Sequence, residues 1–354
     1  MTDFKCYTEN TDLLADLSCA EFYITIVNNQ LNLNLSKLPK GVSTFNLGEL
    51  KSRTDFKTFQ NSKNKLNNND FIVEIDSSIK LNQPIYINHI IDNNYKNNDN
   101  INIAYHIKEY SEISLIEKVY VANKSCSKKP IITNLTSFWK IDKNVQLYHY
   151  EFSPADLHEG SALTKKLNLE QRQNSEVSFY TFYLNNNKIH NNINIQLDEP
   201  GAKCNLFSIS MLFNAGCVEN NIIVNHNSPE CESRQIYKGV YNDKSIGKFN
   251  STVYVAKDAQ KTFSKQQNNN ILLSDYSSVS SDPQLEIYAD DVKCEHGSTI
   301  GQIDPKALFY LQSRGLNEKL ASNMLLNAFL SEVINQINDA NIKSTVLLAV
   351  NKRL

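Results

Sequence analysis

Neither Asn-Gly nor Asp-Gly occurs in this sequence, and glycine appears only 10 times in 354 residues. Those dipeptides are the strongest short-range hairpin signals, so their absence argues against a large antiparallel sandwich. No CxxC pair occurs either. The seven cysteines, at 6, 19, 126, 204, 217, 231 and 294, are odd in number and irregularly spaced, which argues against a disulfide framework or a zinc-type grouping. Their default role is small, reduced, apolar filler. A P-loop is also missing, because seven residues separate Gly239 from Gly247 and Phe249 follows Lys248. The motif needs four residues there and a Ser or Thr after the lysine. Any ATP-driven step therefore belongs to another chain.

Charge of one sign is absent too. The 36 basic residues nearly balance 38 acidic ones, for a net charge of −2, so no basic field invites nucleic acid. The longest apolar stretch near the end, "STVLLAVNKRL", is far below a membrane span. The start, "MTDFKCYTENTDLLADL", is acidic and polar where a secretory signal is basic and then apolar. The expected location is the cytoplasm, away from membranes.

What the chain does have is alternation. "FYITIVNNQLNLNL" (22–35), "DFIVEIDSSIKLNQPIYINHII" (70–91), "NINIAYHIKEYSEISLIEKVYV" (100–121) and later segments to "STVYVA" (251–256) read as strands of period two. A frame of apolar-x-apolar-x-x-Asp/Asn recurs at Ile193 to Asp198, Ile222 to Asn227, Val253 to Asp258 and Leu285 to Asp290, about 30 residues apart. Fixed-period strand plus corner is the mark of a solenoid whose coils bury their faces by stacking. Asparagine runs such as "NKLNNND" suit the left-handed corners that glycine is too scarce to supply.

The texture changes at Asp304-Pro305, a helix start, and "KALFYLQSR" runs to Gly315, a helix stop. Asn317 then caps a second helix to about Ile337, with apolar residues at 320, 324, 325, 328, 329, 333 and 337 forming one face. A third short helix follows Asp339. The expected organisation is a short N-terminal segment (1–20), a mainly β parallel β-helix core (21–303) and a C-terminal helical domain (304–354) that covers the open end of the solenoid.

Cys294 and His296 alternate along "VKCEHGS", so thiol and imidazole share one face of a strand. Both are ligand types for iron or a cluster edge, though two ligands are too few alone. A histidine that merely caps a turn fits the same pair. Asp290 and Asp291 invite comparison with the carboxylate pairs of β-helix carbohydrate-active enzymes, yet neighbours on a strand face opposite ways, and corner capping explains them more simply. The histidines at 89, 106, 149, 158, 190 and 226 form no ligand-like spacing and read as surface or coil residues, and Trp139 as core or interface packing. Phe309, Tyr310 and Arg314 are of types favoured as interface anchors, and Phe309 equally suits packing against the solenoid.

Residues 247–337, above all "PQLEIYADDVKCEHGSTIGQID" followed by "ALFYLQSRGL", resemble the C-terminal signature of the SufD family of iron–sulfur cluster assembly proteins, with weaker similarity back to about residue 21. The resemblance implies a right-handed β-helix, a heterodimer with a SufB-like scaffold, and helical docking of a SufC-like ABC-type ATPase at the region of Phe309, Tyr310 and Arg314. It also implies a non-enzymatic role, with no tightly bound cofactor in the isolated chain and a transient iron–sulfur cluster at the subunit interface. His296, then Cys294, would supply its ligands, and a SufB residue would complete them. Two departures stand out. The family's longer helical N-terminal region is nearly missing, and "SDYSSVS" (274–280) lacks the cysteine that SufB carries there, which favours SufD. A SufB-like scaffold acting as a homodimer is the neighbouring alternative. Cys204 and Cys231 are open candidates for a sulfur path.

Overall fold

The computed structural model describes residues 20–46, 70–92, 95, 100–121, 130–154, 157 and 160–354. The expected N-terminal segment, up to residue 19, and His158 lie outside them.

Alternation places every second side chain on one face, and the chain satisfies both faces by winding. Successive strands fall alternately into a ten-stranded sheet A and a nine-stranded sheet B, almost wholly parallel. The result is a parallel β-solenoid with its main apolar core in the lumen between the sheets. Ile132, Ala162, Lys188, Cys217, Ile246 and Ser278 stack in one column, at steps of 30, 26, 29, 29 and 32 residues. The sequence frame slips once against this register. Ile193 does stack on Ile222, but Val253 stacks on Val224 and Leu285 on Val253. A slip of two residues keeps every side chain on its own face, so the inward assignment survives it.

Asparagine does take the left-handed corners: Asn28, Asn29, Asn144, Asn174 and Asn214 all have positive φ. Two of them build a hairpin without either dipeptide, and it stays a single short pair at the start of the solenoid rather than part of a sandwich. Asn28 and Asn29, at φ 46° and 70°, turn Phe22–Val27 back onto Gln30–Leu31 as an antiparallel pair. The stretch expected as strand to residue 35 then closes with a turn of 3-10 helix at Leu33–Leu35. At the corners of later coils Asn227 Nδ2 donates to Asp198 Oδ1 at 2.8 Å. On the outer face of sheet B, Asn250 donates to Asn221 at 2.9 Å, continuing a column with Asn192.

Three helices follow: α1 (Pro305–Ser313), α2 (Glu318–Ile334) and α3 (Ala340–Asn351). Their caps are the residues the sequence marks. Asp304 accepts from the Lys306 N–H at 2.9 Å, Asn317 from Leu320 at 2.9 Å, and Asp339 from Asn341 at 2.8 Å. Their position differs from expectation, because they do not cover the open end. Leu326, Leu330, Val333, Ile334, Val346 and Val350 pack on the outer face of sheet A, against Tyr180, Phe182, Phe207, Ile209, Met211 and Val240. Lys238 on that face meets Glu332 of α2 at 2.5 Å and lies 4.8 Å from the Phe329 ring centre. Sheet A is thus apolar on both faces, and its second face is what draws the helices in. The buried stripe of α2 is accordingly offset from the expected one: Leu320 and Met324 are 55% and 57% exposed. No helix among the described residues is long and apolar enough to cross a membrane.

Leu330 is fully buried in this junction. Leu330→Ala is expected to cost about 2–5 kcal/mol of local docking energy. Limited trypsin digestion should then release the helices while the solenoid persists; unchanged resistance would contradict this account of the junction.

Candidate functional site

Lys293–Gly301 is the last strand of sheet A and, among the described residues, pairs on one side only, with Phe263–Leu272. Cys294 sits beside Ser264 and His296 beside Gln266 in that register. Ser264 and Gln266 are 0% and 1% exposed and face the lumen, so Cys294 and His296 share the inward face at the solenoid's open end. Ser278–Ile287 is the matching free edge of sheet B. Cys294 packs partly against the core, whereas His296 is exposed. The floor beneath them is polar. His226 Nε2 lies 2.8 Å from Ser233 Oγ, which lies 3.0 Å from Ser264 Oγ, and Gln266 Nε2 donates to Ser251 Oγ at 2.9 Å.

Burial pushes the Cys294 thiol up, against an opposing pull from the Ser264 backbone. At neutral pH the chain by itself therefore presents a thiol, and binding a soft metal there releases its proton. No group of three or more His, Cys, Asp or Glu among the described residues is placed to hold a metal ion. The pair is chemically half a site.

The other candidates separate from it. Asp290 and Asp291 are both exposed in the corner before the last strand. That corner is tied through the Asp291 backbone, which accepts from the Lys261 N–H at 2.6 Å and donates to Gln260 Oε1 at 2.9 Å. Cys204 and Cys231 are buried, and burial pushes the Cys231 thiol up to about 11 and the Cys204 thiol higher still. Neither is a nucleophile in this state. Phe309 and Tyr310 are 71% and 57% exposed, and the Arg314 guanidinium lies 5.3 Å from the Tyr310 ring centre. Helix α1 buries no residue, so Phe309 does not pack it onto the solenoid. Only residues 302–304 separate α1 from the Cys294 strand.

Of the two readings offered for the histidines, coil rather than surface holds for four: His89, His106, His149 and His226 are buried on strands of the solenoid. His89 Nε2 lies 2.6 Å from Glu117 Oε1, and His149 Nε2 lies 2.9 Å from Glu117 Oε2, all inside the lumen. Burial opposes the Glu117 charge, yet hydrogen bonds from His149 and His89 hold its carboxyl well below the usual range. One coil on, Glu151 pairs with Lys165, whose ammonium burial pushes down to about 8 against the pull of Glu117. A usable signal existed: Glu117 and His149 each lie two residues after a leucine, and Lys165 lies between Leu163 and Leu167. Parity alone puts them inside.

Residues 90–329 match the family model described as "SUF system FeS cluster assembly, SufBD core domain". Among curated proteins, the iron–sulfur cluster assembly protein SufD of Escherichia coli is 37% identical over 175 residues, 49% of this chain and 41% of that protein. An iron–sulfur cluster assembly SufBD family protein of Synechocystis is 25% identical over 251 residues, 70% of this chain and 55% of its own. SufD of Plasmodium falciparum is 30% identical over 162 residues, 45% of this chain and 11% of that protein. The chain thus spans about half or less of these relatives. With more than half of its own length matched by the family model and the parallel solenoid in place, the chain belongs to the SufBD family of SUF-system iron–sulfur cluster assembly proteins.

Proposed function

We propose that this chain is a SufD-type scaffold subunit in the cytoplasm, without catalysis of its own. It pairs through its open end with a SufB-like chain and engages a SufC-like ATPase through α1. The carrying observation is the coincidence of two unpaired sheet edges with a Cys–His half site at one end of the solenoid. Free parallel edges recruit further strands. A partner seated there brings its own side chains to within reach of Cys294 and His296. The cluster is cargo: Cys294 and His296 supply a thiolate and an imidazole, and the partner supplies the rest. The rival carbohydrate enzyme needs an exposed carboxylate or Lys/Arg cluster in a groove midway along the solenoid, and turnover by the chain alone. The lumen carboxylates Glu117 and Glu151 are tied to His89, His149 and Lys165.

Co-purification tests the partnership. Tagged chain co-expressed with SufB-like and SufC-like chains is expected to retain both, whereas a stable homodimer retaining neither supports the homodimeric scaffold instead. Within the complex, Phe309→Ala with Tyr310→Ala is expected to lose the ATPase chain, with at least a tenfold weaker capture, and to keep the SufB-like chain. Retention of the ATPase would move its docking surface away from α1.

A further inference from the structure

In the mid-solenoid lumen a few polar residues, set among apolar ones such as Leu135, Leu167 and Phe179, line a chamber that the cluster-assembly reading does not use. Glu117, Trp139, His149, Glu151, Lys165 and Asn191 line a cavity of about 40 Å³. All but Glu151 are less than 9% exposed. His149 spends its Nε2 on Glu117 and leaves Nδ1 without a partner, and Trp139 Nε1 is likewise unpartnered. The Trp139 ring is held edge-on to His149 and Phe179, at centroid distances of 5.1 and 5.5 Å, and stacked on Tyr105 at 3.8 Å. Such packing fixes where its N–H points.

Buried polar atoms in folded proteins are satisfied by protein or by ordered water almost without exception. One internal water needs roughly 10–15 Å³ and two to four polar partners, so this chamber has room for about two or three. The donors available are the Lys165 ammonium and the Trp139 N–H. The acceptors available are the carboxylates of Glu117 and Glu151, and His149 Nδ1 has no protein partner. That mixture of donors and acceptors fits water. An anion would meet two carboxylates, and an apolar guest would leave the same atoms unsatisfied.

We propose that the mid-solenoid lumen contains a built site for about two or three water molecules, bridging Lys165, Trp139 and His149. The waters complete the hydrogen bonding of a charged layer that the coils alone leave open, and Lys165 organises them.

Oxygen-17 water relaxation dispersion on the full chain counts long-lived internal waters. The double variant Lys165→Met, Glu151→Leu keeps the side-chain volumes close and removes two of the chamber's charged groups, leaving Glu117. It is expected to lower the count by about two or three relative to wild type. An unchanged count overturns the proposal. Should the variant not fold, the wild type carries its own reporter, because Trp139 is the single tryptophan. Its emission is expected to rise in D2O while acrylamide fails to quench it. An indole insensitive to D2O as well as to acrylamide means a dry chamber. A crystal structure with a buffer ion in the chamber in place of water equally rules the site out.

Discussion

Glu117→Ala is expected to lower the free energy of unfolding by about 3–5 kcal/mol, the cost of breaking a buried charged network by removing one partner. The wild-type carboxylate accepts from two imidazoles at 2.6 and 2.9 Å, and all three side chains are buried. Alanine strands both Nε2–H donors inside the solenoid and withdraws a charge that steadies Lys165. Against a typical total of about 5–15 kcal/mol, the loss is large. Glu117→Gln keeps an acceptor of similar shape and should lose less. The pH dependence has a definite sign. The folded-state carboxyl titrates below its ordinary value of 4.5, so its stabilisation is complete above that pH and is lost as pH falls further toward the folded value. Urea midpoints of wild type and variant should therefore converge as pH falls below about 4.5. A variant within about 1 kcal/mol of wild type would show that the lumen relaxes around the missing group.

His296→Ala is expected to leave the assembled complex intact and to lower the rate of cluster formation at least tenfold. The side chain is exposed on a terminal strand, so its removal empties no core space and changes stability by under about 0.5 kcal/mol. What it removes is one of the two proposed ligands at the open end. Cys294→Ser should show a weaker assembly defect with the same intact complex, because it replaces a half-buried thiol by a poor iron ligand. Iron and sulfide content of the anaerobically reconstituted complex, followed in time by visible absorbance, gives the readout. Normal cluster formation by the His296→Ala complex would remove the site assignment while leaving scaffold and partners standing.

The solenoid was legible because its core depends on a property of single strands. Period two survives a register slip of two residues, so Ile193, Ile222, Val253 and Leu285 point inward whichever way the frame is aligned. The helix starts were legible because Asp304, Asn317 and Asp339 cap through contacts two or three residues away. The lumen network was hidden because His89, Glu117 and His149 meet only after stacking brings together residues 28 and 32 apart. The seat of the helices was hidden for another reason. Runs such as "SFYTFYL" satisfy both faces of sheet A at once, and alternation reports only one of them. Of the candidate site, sequence alternation put Cys294 and His296 on one face; stacking was needed to show that this face is the lumen side of an edge strand.

The solenoid also ends unevenly. An interior coil has a neighbour on either side, whereas among the described residues the coil bearing Cys294 and His296 has only one. In a nearest-neighbour stack the terminal unit is the first to fray and the last to set. Cys294 and His296, the proposed ligands, therefore ride on the least cooperative unit of the array. A subunit seated on that edge acts as its missing neighbour. On these grounds assembly and ordering of the ligands are one thermodynamic event, and an unpartnered chain is poorly prepared to hold metal prematurely.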